Sequence, residues 1–196
     1  NHGMYTIADY RREFNDTYCK KVDVLVWGET DSLFPSTAIN IISQVFTKAA
    51  DHNVHKWILS FADRKMWDDS WKVIEHPRVE NIPRWSNDSE EWLTDKRSSK
   101  CYMSIQEMEE FNSEEPIITT TEIPKFDGSC LVMSSDLVLS GVNIPRGLIL
   151  CGEDTSIGTM AKLILGKNFI QFIVKNVIRV HNRRHPRKRL HVLNED

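Results

Sequence analysis

Two carboxylates follow directly on an apolar segment near the start of the chain. Residues 22–27 are almost continuously apolar, and Glu29 and Asp31 come immediately after them. Such a segment predicts a buried strand, and in a parallel α/β sheet the carboxyl ends of the strands open into the ligand crevice. We therefore expect both side chains to lie where they can meet a metal ion or a cationic group.

Two further polar groups stand at comparable places later in the chain. Glu153 and Asp154 open a predicted helix, and His181 ends a predicted strand. Carboxylate oxygens suit Mg²⁺ or Mn²⁺, and an imidazole ligand adds a preference for Mn²⁺. Each group alone is better explained by turn formation or helix capping. The order and spacing of all three groups predict a hard-metal site and a base.

The elements that must position these residues follow from the spacing of apolar side chains. Helices are predicted at residues 5–19, 38–49 and 104–111, and a further helix is predicted to be capped by Asp154 or Thr155 and to end at Gly166. Strands are predicted at residues 22–27, 56–62, 126–133, 169–174 and 177–180. Strands that alternate with helices predict an α/β fold with a mixed, mainly parallel sheet flanked by helices. Residues 63–125 are predicted to be an irregular insertion.

Composition describes one ordinary soluble domain. The 196 residues are 40% hydrophobic and 27% charged, with a formal net charge of -3. No apolar run approaches the ~20 residues of a membrane-spanning helix, and residues 1–10 lack the plan of a signal peptide, so we expect a cytoplasmic protein with no transmembrane segment. The four cysteines are too scattered for a zinc ribbon or a disulfide scaffold, which predicts reduced thiols.

Several short motifs together resemble GT-A fold glycosyltransferases of the family 2 type. Residues 23–35, DVLVWGETDSLFP, are similar to the strand and Asp-x-Asp motif of these enzymes, with Glu29 in the first acidic place. Residues 126–133 resemble their acceptor-side strand, and residues 152–155, GEDT, resemble their Glu-Asp motif at the start of a helix. His181 falls where many of them carry the histidine that closes the metal site.

The resemblance implies a metal-dependent, hexosyltransferase-like enzyme. It would move a sugar from a nucleotide-sugar donor to the hydroxyl of a glycan or another acceptor, with inversion. Asp31 and Glu29 would bind Mn²⁺ or Mg²⁺ and the donor diphosphate, and His181 would complete the metal shell. Asp154 would be the general base that such a hydroxyl requires, with Glu153 positioning the acceptor or the donor sugar.

Basic residues offer further contacts to the donor. Arg11 or Arg12, with Asn15, resembles the Arg and Asn on the helix before the acidic strand, where they could contact donor phosphates. An exposed helix face explains these residues equally well. Arg183 and Arg184 begin a basic tail that could close over the diphosphate, because arginine matches phosphate with paired donors. That tail could also contact an anionic surface or nucleic acid, or simply be solvated.

We predict a single GT-A-like domain over residues 1–196. It comprises the acidic-strand region (1–62), the insertion (63–125), the acceptor and catalytic region (126–182) and the basic tail (183–196). In the insertion, Trp85 and Trp92 suit a platform for a sugar ring, whereas Trp67 and Trp71 are spaced for packing together. The βαβ half that holds the nucleotide base in the family is not visible, so the resemblance implies an N-terminally truncated fold.

Two other classes of function stay open. A nucleotidyltransferase can use a similar acidic metal site on a related sheet, although the sequence has no Gly-rich activating loop. A non-catalytic module that binds glycan or nucleic acid would keep the fold without affinity for the donor.

Overall fold

The computed structural model describes residues 5–30, 32–63, 105–112, 114–122, 128–148 and 152–181. Several predicted features lie outside these residues: Asp31, the four tryptophans of the insertion, and the basic tail with Arg183 and Arg184. Position 181 is described as part of a strand, but the side chain of His181 is not.

The described residues form five helices and six strands. The helices are α1 (Ile7–Tyr18), α2 (Ala38–Asp51), α3 (Ile105–Phe111), α4 (Ser135–Leu139) and α5 (Glu153–Leu165). The strands are β1 (Val24–Gly28), β2 (Ser32–Leu33), β3 (Trp57–Asp63), β4 (Ile118–Thr120), β5 (Cys130–Ser134) and β6 (Ile170–His181). Every predicted helix and strand with described residues is present, and the two strands predicted at 169–180 are one.

The strands form a mixed open sheet flanked by helices, mostly antiparallel and partly parallel. Their order is β1-β5-β3-β6-β2, and β4 pairs with β6. Strand β1 runs antiparallel to β5, from Val24 opposite Ser134 to Gly28 opposite Cys130, and β3 is also antiparallel to β5. The mixed α/β fold is therefore confirmed, whereas the expectation of a mainly parallel sheet is wrong.

The reason for this error is visible in the burial of β1. Leu25 and Trp27 are buried, while Val26 between them is 37% exposed. Such alternation is typical of an antiparallel strand with one solvated face, whereas parallel strands are buried on both faces. Val26 is apolar although it faces outward. For this reason the sequence of residues 22–27 looks like a parallel strand that is buried on both faces.

The chain divides into two compact units. Unit 1 comprises residues 1–29, 39–60 and 118–173, and unit 2 comprises residues 30–38, 61–117 and 174–196. The core of unit 1 includes Leu25, Ile58, Leu131, Met133 and Ile157. The predicted limits of the insertion and of the basic tail stay predictions.

In unit 2, the side chain of Asn112 binds the backbone of β6. Its side-chain amide nitrogen donates to the carbonyl of Ile178, and its oxygen accepts from the amide of Ile178, both at 2.7 Å. This pairing ties the end of α3 to β6 within the unit.

Two cysteines are described, Cys19 and Cys130, and both are buried thiols outside any disulfide. Cys101 and Cys151 lie outside the described residues.

Helix α1 is fixed at its start by a reciprocal cap. The Thr6 hydroxyl accepts a hydrogen bond from the amide of Asp9 at 3.3 Å, and the Asp9 carboxylate accepts one from the amide of Thr6 at 2.9 Å. This capping box satisfies backbone donors that have no partner within the helix. From there, a period of 3.6 residues turns Ala8, Arg11 and Asn15 toward the interior of unit 1.

Helix α5 begins at Glu153, ahead of both residues that were predicted to cap it. The residue before it, Gly152, has φ of +85°, a conformation that glycine adopts at little cost. Neither Asp154 nor Thr155 is the cap, because both already lie in the first turn. The helix ends at Gly166, as predicted.

Candidate functional site

A buried arginine of α1 joins three segments that are distant in sequence. Arg11 is only 5% exposed, and its Nη1 donates to Glu153 Oε1 at 2.5 Å. Its Nη2 donates to Glu29 Oε1 at 3.0 Å and to the carbonyl oxygen of Gly128 at 2.8 Å. We call these four residues the Arg11 cluster. All of them belong to unit 1, and they bring the end of β1, the approach to β5 and the start of α5 together.

Strand β1 contributes an aromatic ring, Trp27, that packs against Arg11. The guanidinium carbon of Arg11 lies 4.8 Å from the ring centroid of Trp27, a distance at which a cation is attracted to an aromatic face. The indole Nε1 of Trp27 donates to Asn15 Oδ1 at 2.9 Å, and Asn15 is fully buried. The buried face of α1 therefore fixes the plane of the ring on which Arg11 lies.

The antiparallel pairing of β1 with β5 explains why these segments meet. Because Gly28 lies opposite Cys130, the residue after β1 and the residues before β5 share one end of the strand pair. Glu29 and Gly128 are those residues, and Arg11 binds both. Glu29 therefore lies beside the start of the neighbouring strand, whereas in a parallel sheet it would lie beside that strand's end.

Asp154 lies beside this cluster in the first turn of α5. Its Oδ2 accepts a hydrogen bond from the amide of Gly128 at 3.1 Å, and its Oδ1 accepts one from the amide of Thr155 at 2.6 Å. The side chain is only partly buried. A negative charge in the first turn is also favoured by the helix dipole. The structure thus presents a fixed, solvent-accessible carboxylate that could accept a proton.

The two glutamates predicted for the site are both bound to the same cation. One positive charge on Arg11 faces Glu29 and Glu153, and Asp154 adds a third carboxylate nearby. Among the residues that the structure describes, no group of three or more His, Cys, Asp or Glu side chains could hold a metal ion. Glu29 therefore contributes to an ion pair here, and its role as a metal ligand stays a prediction.

In unit 2, the backbone of position 181 pairs with β2, the strand that begins directly after Asp31 in the chain. Strand β2 pairs antiparallel with β6, with Ser32 opposite His181 and Leu33 opposite Val180. Ser32 is the residue directly after Asp31 in the chain. Asp31 itself and the side chain of His181 lie outside the described part of the structure, so their roles as metal ligands stay predictions.

Arg12 is engaged elsewhere. Its Nη1 donates to Asp9 Oδ1 at 2.7 Å, its Nε to the carbonyl of Ile144 at 2.9 Å, and its Nη2 to the carbonyl of Pro145 at 2.8 Å. These contacts tie α1 to the loop that follows α4. Binding of a donor phosphate by Arg12 would require some of these partners to be released, and this role stays a prediction.

Sequence reasoning does not identify the connecting role of Arg11, nor that of Gly128. It suggests Arg11 only as an alternative to Arg12 for contact with a donor phosphate. The helical phase could have separated them, because Arg11 shares a face with Ala8 and Asn15 whereas Arg12 does not. No signal in the sequence pairs Arg11 with Glu153, which lies 142 residues away.

Comparison with known proteins adds no relative to this picture. No protein-family model matches the chain, and no curated protein or solved structure matches it either. Within the part of the chain that the structure describes, no helix is both long and apolar enough to cross a membrane.

Proposed function

We propose that this chain is a metal-dependent glycosyltransferase of the GT-A, family 2-like type. It would transfer a hexose-like sugar from a nucleotide-sugar donor to an acceptor hydroxyl, with inversion. One observation carries the proposal: the three unit 1 segments that resemble this family meet at Arg11, although Gly128 and Glu153 lie 117 and 142 residues away from it. An open mixed sheet flanked by helices is compatible with such an enzyme.

In this proposal Asp154 is the general base. A hydroxyl is a weak nucleophile at neutral pH, so a carboxylate within hydrogen-bond reach must accept its proton as the oxygen attacks the anomeric carbon. The bond to the diphosphate breaks on the opposite face of the sugar, which inverts the configuration. The amides of Gly128 and Thr155 fix the Asp154 carboxylate in one orientation.

Asp31 and His181 are the residues that would hold the metal ion. When bound, Mn²⁺ or Mg²⁺ would offset the charge on the departing diphosphate. The pairing of Ser32 with His181 supports this assignment, because it brings the two segments together in unit 2. Arg183 and Arg184 are proposed to contact the same diphosphate from the basic tail.

The test measures release of nucleoside diphosphate from a panel of nucleotide sugars, with and without Mn²⁺. Asp154→Asn keeps the shape of the side chain but removes the base, so turnover should fall by about 10² to 10⁴-fold. Asp31→Asn should weaken the dependence on Mn²⁺. Asp51→Asn, at the exposed end of α2, is the matched control. Transfer at the wild-type rate by Asp154→Asn would contradict the proposal.

The second candidate is a non-catalytic glycan-binding or nucleic-acid-binding module. The pairing of both glutamates with Arg11 favours it, because those carboxylates are then occupied by ion pairs within unit 1. Calorimetry that detects a glycan or nucleic acid but neither Mn²⁺ nor a nucleotide sugar would support this alternative. Release of pyrophosphate from a nucleoside triphosphate and a sugar phosphate would instead identify a nucleotidyltransferase.

A further inference from the structure

Arg11 binds the two residues that lie next to the proposed base, Asp154. The residue before Asp154 in the chain is Glu153, whose Oε1 accepts from Arg11 Nη1. The residue that donates its amide to Asp154 Oδ2 is Gly128, whose carbonyl accepts from Arg11 Nη2. Among the described contacts, Asp154 itself has no hydrogen bond to Arg11, whereas Glu153 and Gly128 both have one.

We propose that Arg11 is a positioning residue that sets the orientation of the Asp154 carboxylate. The proposal rests on the proposed function, in which Asp154 is the general base. Arg11 would act through Glu153, which fixes the first turn of α5, and through Gly128, which fixes the amide donor.

The planar guanidinium is suited to this task in a way that a lysine is not. One terminal nitrogen, Nη1, binds Glu153, and the other, Nη2, binds Glu29 and Gly128. The guanidinium carbon lies over the ring of Trp27. An ammonium is a point charge on a flexible stem and cannot span these acceptors at fixed angles. Arg11→Lys therefore preserves the charge but removes the geometry.

The close fit around Gly128 supports the same inference. A Cβ atom at this position would overlap Nη1 of Arg11 and would lie 3.0 Å from Cβ of Asp154. Arg11 and Asp154 thus approach the same backbone position from two sides, with no room for a side chain between them. A shift of Arg11 is then passed to Asp154 through a closely packed contact.

The first test follows backbone amides and needs no enzymatic activity. The chain has eight glycines, so a sample labelled with ¹⁵N-glycine gives a simple spectrum in which Gly128, Gly152 and Gly166 can be assigned. Arg11→Lys should move the amide resonances of Gly128 and of Gly152, which precedes α5. The resonance of Gly166, at the far end of α5, should stay in place and shows that the helix is folded.

The matched control is Arg146→Lys, which changes an exposed arginine and should move neither Gly128 nor Gly152. Asp154→Asn should move the Gly128 resonance, which verifies that this amide senses the carboxylate. If Gly128 and Gly152 keep their wild-type positions in Arg11→Lys, the proposal is overturned.

The second test is kinetic and uses the full chain. Arg11→Lys should lower kcat by about 10- to 100-fold, since a misplacement of about 1 Å can cost about 10²-fold in rate, while KM for the donor stays near wild type. An unchanged kcat also overturns the proposal. Absence of transfer by the wild-type protein would defeat the proposed function instead, and the amide resonances would still decide whether Arg11 orients the surroundings of Asp154.

Discussion

Removal of Glu153 and removal of Glu29 should affect stability very differently, although both residues pair with Arg11. The side chain of Glu153 is 12% exposed and that of Glu29 is 33% exposed, while Arg11 is 5% exposed. Loss of one partner from a buried ion pair typically costs 3–5 kcal/mol, and loss of a solvent-screened pair costs about 1 kcal/mol or less. In either variant Arg11 keeps one carboxylate and the Gly128 carbonyl, which partly compensates its charge. We therefore expect Glu153→Ala to lower the free energy of unfolding by about 3 kcal/mol and Glu29→Ala by about 1 kcal/mol.

The assay is urea unfolding followed by far-UV circular dichroism, with the free energy of unfolding compared at a common slope. Glu114→Ala replaces an exposed glutamate of unit 2 and should change the free energy by no more than about 0.5 kcal/mol. The double variant Arg11→Met with Glu153→Ala should cost less than the sum of the single variants by about 2 kcal/mol, because it no longer leaves a buried charge unpaired.

Two results would refute this reasoning. The first is an equal loss of stability in Glu153→Ala and Glu29→Ala, which would mean that burial does not set the strength of these ion pairs. The second is strict additivity in the double variant, which would mean that Arg11 and Glu153 do not depend on each other.

Two other predictions concern backbone packing and helix capping. Gly128→Ala should lower the free energy of unfolding by about 1–3 kcal/mol through overpacking. Gly147→Ala, which has open space around the new Cβ, should leave that free energy nearly unchanged in the same urea assay. Equal effects of the two substitutions would contradict the packing argument. Hydrogen bonds from the amide and hydroxyl of Thr6, with a smaller effect of Arg12, lower the pKa of Asp9 from 3.8 to about 2. Because the folded pKa lies below the unfolded one, the stabilisation of α1 by this group is present above about pH 4 and is lost as the pH falls through 2. An NMR titration should place the Asp9 midpoint near 2 in the wild type and higher in Thr6→Val, and a wild-type midpoint near 3.8 would disprove the assignment.

The helices were predictable because their signals are local. Residues 5–19 carry apolar side chains at helical spacing, and α1 follows within a few residues of those limits. The same periodicity contains the orientation of Arg11, since Ala8, Arg11 and Asn15 occupy one face. What the pattern does not contain is the identity of the groups that Arg11 meets. Those groups depend on the antiparallel pairing of β1 with β5, which joins residues more than a hundred positions apart.

The sheet was harder to predict because an apolar side chain does not reveal which way it points. Val26 is exposed on β1, whereas all five residues of β5 are buried, yet both segments have the pattern of short apolar runs. Strand direction then decides where the acidic residues meet a partner. Strand register is equally hard to predict from an apolar pattern, and a slip of one residue turns every side chain to the other face. Motif order could therefore suggest that the segments of Ser32 and His181 are neighbours, but it could not specify which residues pair.

The geometry of the Arg11 cluster also decides which substitution is informative about catalysis. Loss of transfer in Glu153→Ala would not show that Glu153 touches a sugar, because the same change leaves Arg11 buried with a weaker, more exposed partner. Glu29 carries the same ambiguity to a smaller degree. A substitution of Asp154 is free of this ambiguity, because Asp154 accepts its hydrogen bonds from the amides of Gly128 and Thr155 and does not pair with Arg11. Asparagine at this position retains an oxygen that can accept one of these bonds. A large kinetic effect of Asp154→Asn with little loss of stability would therefore separate chemistry from structure, and the glutamates should be interpreted only after that result.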